Sequence, residues 1–307
     1  FLENLTAGDC ALVAVSGGAD SLALAYALIK EAPDLAITLI GVTVDHQLQS
    51  GSADQATKVQ VALKEMGYQE VLIEKVLEVN PNTIVVMIGG APFDLNNIKE
   101  KSSTLVWSWF NGSEGGNALA DVILGNINPS GKLPWTMPKN LMDSPAHATN
   151  SFPGAETVEY KEGILVGYRW FDTKNIEPLY PFGYGLSYTN FEILNLNTNK
   201  DSYKEDEIIE VTFEIKNIGD IDGKEVAQLY VSNPESSVER AAQELKGFQK
   251  VFVKNGLTEK VTIRLNTKEL AYFNESINEW TLEKGNYILK IGNSSRNILA
   301  EVSINID

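Results

Sequence analysis

The sequence has little of several features that would indicate a function directly. Cys10 is the only cysteine in 307 residues, which excludes an internal disulfide and fits a reducing compartment. His46 and His147 are the only histidines, which argues against a multi-histidine metal site. No apolar run approaches the roughly 20 residues of a bilayer crossing, and the N-terminus lacks a basic flank and an apolar core. We therefore predict a cytoplasmic location and no membrane partner.

Basic residues are also scarce. Lys and Arg number 25 against 41 Asp and Glu, a formal net charge of −16. An acidic excess of this size argues against a nucleic-acid partner. Apolar residues make up 43% of the chain, which predicts globular domains, and the length predicts two, or three small ones. Because the chain begins with Phe1 rather than Met, we expect a fragment or an incomplete reading frame.

The composition changes near Val71. The first 71 residues contain 12 alanines and the other 236 contain 11, whereas Asn4 is the only asparagine of the first stretch and 25 follow it. Such a step predicts two segments of different ancestry. Part of the contrast also fits helices that favour alanine and loops that favour asparagine.

The first segment has the pattern of alternating strands and helices. An apolar strand, 11–15, precedes a glycine turn, 16–21, and a helical stretch that ends before Pro33. A second strand, 37–44, precedes a second helical stretch over about 53–66. This β-α-β-α order predicts a parallel sheet covered by helices.

Two polar clusters follow these strands. In parallel sheets, ligands bind beyond the carboxyl ends of the strands, and glycine-rich turns there suit phosphate groups. The alternative is a tight turn in which Asp20 or Ser21 caps the helix. The candidate nucleotide-binding residues are Ser16, Gly17, Gly18, Asp20, Ser21, Asp45 and His46.

This segment resembles a known family. Ala14-Val15-Ser16-Gly17-Gly18-Ala19-Asp20-Ser21 and Val42-Thr43-Val44-Asp45-His46 resemble the start of tRNA(Ile)-lysidine synthetases, which are N-type ATP pyrophosphatases. The resemblance covers about 70 residues. It implies that the glycine turn binds the pyrophosphate of ATP with magnesium, and that Asp45 and His46 lie at the edge of the nucleotide. The His- and Asp-rich motif and the tRNA-binding regions of that family are missing after residue 71.

The second segment has another strand, glycine-loop and helix order. A strand follows the turn at Asn80-Pro81, a second strand is predicted over 103–110, and a short helix over 118–124 ends at Gly125. The proline-rich stretch to Pro153 is predicted to be loop.

Five strings of this segment stand out: Asn80-Pro-Asn-Thr-Ile-Val-Val, Glu114-Gly-Gly-Asn-Ala-Leu-Ala-Asp121, Asn128-Pro-Ser-Gly-Lys-Leu-Pro134, Glu162-Gly-Ile-Leu-Val-Gly-Tyr-Arg169 and Pro178-Leu-Tyr-Pro-Phe-Gly-Tyr-Gly-Leu-Ser-Tyr188. In this order they resemble the C-terminal α/β sandwich of glycoside hydrolase family 3, the family of many β-glucosidases.

The resemblance carries expectations about the reaction. A retaining glycosidase needs two carboxyl groups about 5–5.5 Å apart. In the family, the Asp nucleophile comes from a preceding barrel and the acid/base Glu of many members from the early sandwich, so both would precede Asn80. A barrel needs typically about 250 residues. The resemblance therefore implies β-glucosides or oligosaccharides as ligands, no cofactor, no catalytic pair in this chain, and a missing barrel as partner.

Three charged residues remain as candidates for the lip of a sugar pocket: Glu114, Glu162 and Arg169. Glu114 precedes a glycine pair and a helix, where a carboxylate satisfies backbone N–H groups or complements the helix dipole. Glu162 and Arg169 flank Gly163 and Gly167, and we expect an ion pair between them that orders the loop.

The third segment alternates with period two from about Tyr203. Turns at 220–223, 255–256 and 284–286 separate the strands, which predicts an antiparallel sandwich. The stretches 242–248 and 285–293 resemble the fibronectin III-like domain that ends many family 3 β-glucosidases.

The predicted fold is α/β, an αβα sandwich with a mostly parallel sheet, followed by an all-β fibronectin III-like sandwich. The predicted domains are 1–71, 72–195 and 196–307, and we expect strand 11–15 or 37–44 to share a sheet with strand 84–88. Three functions remain open: the C-terminal part of a family 3 β-glucosidase that is inactive alone, an ATP-dependent enzyme, and a noncatalytic carbohydrate-binding or scaffold chain.

Overall fold

The computed structural model describes residues 94–154 and 156–307 throughout. Before residue 94 it describes residues 10–14, 22–23, 25–26, 29–30, 38–42, 58–59, 61–63, 65–66, 69–70, 77, 80 and 82–90. The chain divides into two compact units, Phe1–Asn126 and Ile127–Asp307, which are considered separately below. The change of ancestry near residue 71 and the domain boundaries after residues 71 and 195 stay predictions.

The first unit begins with three parallel strands. Strand β1 (Cys10–Ala14) pairs with β2 (Thr38–Val42), which pairs with β3 (Gln69–Glu70). Helical residues lie between the strands, at 22–23, 25–26 and 29–30 and again at 58–59, 61–63 and 65–66. The predicted order of strand, helix, strand, helix is therefore confirmed in the described part of this segment.

A second pair of parallel strands follows in the same unit. Strand β4 (Ile84–Met87) pairs with β5 (Thr104–Trp107), and α1 (Asn96–Lys101) connects them. Helix α2 (Gly115–Ile123) begins three residues earlier than predicted. Among the described residues, β4 and β5 form a sheet separate from β1–β3, so the predicted shared sheet is wrong. Backbone hydrogen bonds define a sheet, and no described pair joins β4 to β1 or β2.

The second unit starts with loops and short helices. It contains a short 3₁₀ turn, Leu141–Asp143, and the helices α3 (Pro145–Ala148) and α4 (Tyr168–Thr173). Residues 127–190 form no ladder of several strands in their described part, apart from a bridge between Met137 and Tyr180. The predicted loop to Pro153 is confirmed only in part, because the 3₁₀ turn and α3 interrupt it; elsewhere prolines and glycines prevent regular hydrogen bonding.

The rest of the second unit is a sandwich of two sheets. Residues 191–307, all of which are described, contain the strands β6 (Phe191–Thr198), β7 (Ser202–Tyr203), β8 (Ile208–Asn217), β9 (Gly223–Ser232), β10 (Glu244–Val253), β11 (Thr258–Asn266), β12 (Tyr272–Asn274), β13 (Glu279–Thr281), β14 (Gly285–Gly292) and β15 (Ile298–Ile306). One sheet has the strand order β10-β9-β14-β15-β7 and the other has the order β11-β8-β6, and β12 and β13 form a separate hairpin. A 3₁₀ turn, Thr267–Leu270, precedes β12.

The sandwich core follows from the alternation in the sequence. On β8, the side chains of Ile209, Val211, Phe213 and Ile215 are fully buried, whereas their neighbours on the strand are less buried. They pack against apolar side chains of the facing sheet, including Leu229. Period-two alternation places one face of each strand in the core, so the predicted antiparallel sandwich is confirmed.

The helices of the described residues include none that is long and apolar enough to span a membrane.

The buried face of β8 predicts a large effect of truncation. Because Phe213 is fully buried in the sandwich core, Phe213→Ala should lower the free energy of unfolding by about 3–5 kcal/mol. Urea titration followed by circular dichroism measures this loss. Phe248→Ala is the matched control, since Phe248 is 67% exposed on β10 and its removal should cost less than about 0.5 kcal/mol. Equal losses in the two variants would contradict this core assignment.

Candidate functional site

The candidate nucleotide-binding residues follow two paired strands. Strands β1 and β2 run parallel in a register that pairs Ala14 with Val42, so their carboxyl ends lie side by side. The glycine turn follows β1 in the sequence, and Asp45-His46 follows β2. Ser16, Gly17, Gly18, Asp20, Ser21, Asp45 and His46 themselves lie outside the described residues, and their nucleotide-binding role stays a prediction.

Glu114 stands immediately before helix α2. Its side chain makes no cap hydrogen bond to the helix backbone, so of the two structural roles expected for Glu114, capping of backbone N–H groups is not observed. The Asn117 side-chain amide instead donates to Glu114 Oε2 at 2.7 Å. The carboxylate still lies at the positive end of the helix dipole. The local contacts therefore give Glu114 a structural role, and its place at a sugar pocket stays a prediction.

Glu162 and Arg169 lie on either side of a glycine-containing turn. Gly163 and Gly167 have φ angles of +58° and +59°, a left-handed conformation that favours glycine. Both charged residues are described, yet no ion pair joins them, so the expected pair is wrong. Glu162 Oε2 is buried without a hydrogen-bond partner among the described residues. A buried carboxylate oxygen normally has a donor, which makes Glu162 the one candidate with unmet hydrogen-bonding capacity in this turn.

Helix α4, which follows this turn, is attached to the β-sandwich through Asp172. The Arg296 Nε atom lies 2.6 Å from Asp172 Oδ1, and the Gln243 side-chain amide donates to Asp172 Oδ2 at 3.0 Å. Arg296 Nη2 also donates to the carbonyl oxygens of Phe171 and Ile176, at 2.8 and 2.9 Å. One guanidinium group therefore holds both the side chain and the C-terminal backbone of α4.

The electrostatics of Asp172 reflect this burial. Loss of solvent raises the pKa of Asp172 above its ordinary value, while the hydrogen bond from Gln243 and the positive charge of Arg296 act in the opposite direction. A raised carboxyl pKa is typical of catalytic acids. Both oxygens of Asp172 are already occupied by Arg296 and Gln243, however, so the geometry makes this carboxyl group a structural anchor.

A cluster of aromatic and amide side chains also attaches α4 to the β-sandwich. The Tyr168 hydroxyl accepts a hydrogen bond from the Leu245 backbone at 2.7 Å, and its ring stacks on Phe182 with a centroid distance of 4.9 Å. The Tyr230 hydroxyl donates to the Gln228 side chain. Burial raises the pKa of Tyr230, so this phenol stays protonated and keeps donating.

Gln228 and Gly183 come into close contact beneath this cluster. The Gln228 side-chain amide donates to the Gly183 carbonyl oxygen at 3.2 Å. Gly183 has a φ of +79°, and a Cβ atom at this position would collide with the Gln228 side chain. The glycine of the string 178–188 is therefore required both by its conformation and by this contact.

A buried ion pair attaches the proline-rich loop to the sandwich. Lys132 Nζ lies 2.7 Å from Glu225 Oε1 and donates to the Gly185 carbonyl oxygen at 2.8 Å. Little of either side chain is exposed, so solvent screens their attraction weakly. Lys132 belongs to the string 128–134, and the structure gives that string a role in attaching the loop.

Neither Glu114 nor Glu162 has a partner that would identify it as an acid or a nucleophile. Groups of three or more His, Cys, Asp or Glu side chains able to hold a metal ion are absent from the residues that the structure describes.

Comparison with known proteins identifies the class. The family model described as "Glycosyl hydrolase family 3 C-terminal domain" matches residues 20–188, and the model described as "Fibronectin type III-like domain" matches residues 225–295. The first match covers more than half of the chain, so the chain belongs to glycosyl hydrolase family 3.

Individual relatives agree with this class. The chain is 44% identical to thermostable beta-glucosidase B of Acetivibrio thermocellus over 240 residues, which cover 78% of this chain and 31% of that protein. It is 36% identical to beta-glucosidase B of Emericella nidulans over 292 residues, with coverages of 91% and 33%. The structure of a beta-glucosidase from Kluyveromyces marxianus in complex with glucose has a TM-score of 0.73 at 32% identity, with coverages of 94% and 33%. The chain thus spans about a third of the length of these relatives.

Sequence reasoning missed the anchoring residues of α4. Asp172 and Arg296 are 124 positions apart, and Gln243 lies in a different strand-to-strand connection. No local pattern links residues at such separations. The one available signal was that Asp172 lies three residues after Arg169, the end of a family string.

The anchoring network predicts a strong energetic coupling. Asp172→Ala and Arg296→Ala should each cost about 3 kcal/mol of unfolding free energy, because each leaves a buried or half-buried partner unpaired. A double-mutant cycle in urea should therefore give a coupling of about 1–3 kcal/mol. The exposed pair Arg264–Glu210 is the control, with a coupling below about 1 kcal/mol. A coupling no larger than that of the control would show that Asp172 does not anchor α4 through Arg296.

Proposed function

We propose that this chain is the C-terminal part of a family 3 enzyme that hydrolyses terminal β-D-glucosides, and that it is inactive without the region its relatives carry in addition. The observation that carries the proposal is the match of residues 20–188 to the C-terminal domain of the family, in relatives about three times as long. These relatives are beta-glucosidases, which supplies the substrate class, β-glucosides.

The local chemistry supports the need for a further region. Retaining glycosidases use two carboxyl groups about 5–5.5 Å apart. In this chain, Glu114 accepts from Asn117 and Asp172 is held by Arg296, so both are already engaged in structural contacts. Glu162 Oε2 lacks a donor among the described residues, and a donor from a barrel domain or from a sugar hydroxyl group would satisfy it.

The chain alone should not hydrolyse 4-nitrophenyl β-D-glucoside above the rate in buffer, because the nucleophile and the acid are not both present. A chimera should restore turnover when this chain replaces the corresponding third of the Acetivibrio thermocellus enzyme. Release of nitrophenol measures both results.

Glu114→Gln and Glu162→Gln are the control variants of the isolated chain. Turnover by the isolated chain that either substitution abolishes would contradict the absence of the catalytic pair. A folded chimera without activity would contradict the assignment as a functional C-terminal part of a β-glucosidase.

Nucleotide binding by residues 1–71 is the second candidate function. The parallel pairing of β1 with β2 favours it, because both predicted binding clusters directly follow the carboxyl ends of neighbouring strands. The family 3 match from residue 20 favours the alternative that this segment belongs to the sandwich domain. The nucleotide hypothesis includes the prediction that the chain consists of two segments of different ancestry that join near residue 71.

Isothermal titration with ATP and magnesium tests this second function. If the glycine turn binds the phosphates, the titration gives a heat signal that Asp20→Ala removes. Asp94→Ala, at an exposed position outside the candidate cluster, is the control and should leave the heat unchanged. The absence of heat with the unmodified chain would exclude ATP as a ligand.

A further inference from the structure

The β12-β13 hairpin stands apart from both sheets of the sandwich. It forms a two-stranded sheet of its own, in which Phe273 pairs with Trp280. Both ends of the hairpin are held in place, because Leu270 before it is fully buried and Leu282 after it packs against the sandwich core. The hairpin is therefore a supported platform rather than a loose loop.

Two aromatic rings are exposed on this platform. The rings of Phe273 and Trp280 meet edge to face, with centroids 5.7 Å apart and planes at 73°. Trp280 is 71% exposed and Phe273 is 46% exposed. The ring contact restrains the indole, and a restrained aromatic side chain loses less conformational entropy when a ligand binds. Cross-strand packing explains why the rings touch, but not why so much aromatic surface remains in solvent.

The surroundings of the rings limit the chemistry of a ligand. Residues 272–281 contain two glutamates, Glu275 and Glu279, and no lysine or arginine, which disfavours a polyanion. Asn274, Ser276 and Asn278 add neutral donors and acceptors. A pyranose presents C–H groups on its face and hydroxyl groups around its rim. An aromatic ring with a polar, uncharged or acidic edge matches both features.

We propose that Phe273 and Trp280 form a surface binding site for a neutral β-linked glucan chain. The site is an addition to the reaction centre, since it belongs to the fibronectin III-like module rather than to the matched residues 20–188. The proposal rests on the β-glucoside class of substrate proposed above. A glucan chain that is bound at the hairpin stays near the enzyme between cleavage events.

Native gel electrophoresis with soluble polysaccharide in the gel tests the site. The protein should migrate more slowly in a gel that contains a mixed β-1,3-1,4-glucan. Dextran, which is α-linked, should not slow its migration. Trp280→Ala should raise the apparent dissociation constant for the glucan at least about tenfold, which corresponds to a loss of about 1.4 kcal/mol of binding free energy. Phe273→Ala should raise it less, because the smaller exposed ring contributes less contact area.

Phe248→Ala is the matched control, since Phe248 has a similar exposure but lies on β10, outside the hairpin. Its retardation should equal that of the unmodified chain. Unchanged thermal unfolding of Trp280→Ala would confirm that the variant is folded. No retardation by β-glucan, or equal retardation of the Trp280→Ala variant, would overturn the proposal.

Sedimentation of the unmodified chain and of the Trp280→Ala variant tests the alternative that a second copy of this chain covers the two rings. A dimer that Trp280→Ala converts to a monomer, with glucan retardation unchanged, would assign the rings to self-association and overturn the sugar site. Because the assay measures binding and not hydrolysis, an inactive chimera in the nitrophenyl assay would refute the proposed function without affecting this result.

Discussion

Asp172 is a buried carboxylate, and a buried charge is stable only when a partner charge and hydrogen bonds replace the water it has lost. Arg296 supplies the charge, Gln243 supplies a hydrogen bond, and the same guanidinium group holds two carbonyl oxygens at the end of α4. The position of α4 on the sandwich depends on this set of contacts. The loops before and after α4 have few regular hydrogen bonds of their own, so they depend on it as well.

The other attachments have the same physical character. Lys132 pairs with Glu225 where both side chains are largely buried, and Gln228 donates to Gly183 where a glycine allows close approach. Lys132, Tyr168 and Gly183 belong to three different family strings, and each makes a polar contact with the fibronectin III-like module. This explains why residues 127–307 form one compact unit although the sequence divides them between two family models. In this unit, the module supports the loops that carry Glu162 and Arg169.

The described carboxylates of the second unit differ in how far their oxygens are hydrogen-bonded. Asp172 has partners on both oxygens, whereas Glu162 Oε2 has no donor among the described residues. Buried polar atoms normally have a hydrogen-bond partner, so Glu162 is an exception. The exposed pair of Phe273 and Trp280 is a second place where this chain offers unused contact area, and its surroundings fit a neutral ligand.

Much of the fold could be predicted from local patterns. Alternating apolar residues on β8 determine a half-buried strand, and the turn at Asn255-Gly256 determines where β10 and β11 separate. The order of strand, glycine loop and helix in the first unit could likewise be predicted from local patterns. These features depend on neighbours within a few residues, so the sequence alone determined them.

The candidate site could be predicted only in part. The strings that contain Glu114, Glu162, Arg169 and Lys132 were visible in the sequence, but their partners were not. The tertiary structure decided that Glu162 and Arg169 stay unpaired with each other, that β4 and β5 form their own sheet, and that Asp172 meets Arg296. Each of these outcomes depends on which distant backbone and side-chain groups lie within hydrogen-bonding distance after folding. The packing of the whole unit sets those distances, and no stretch of neighbouring residues records them.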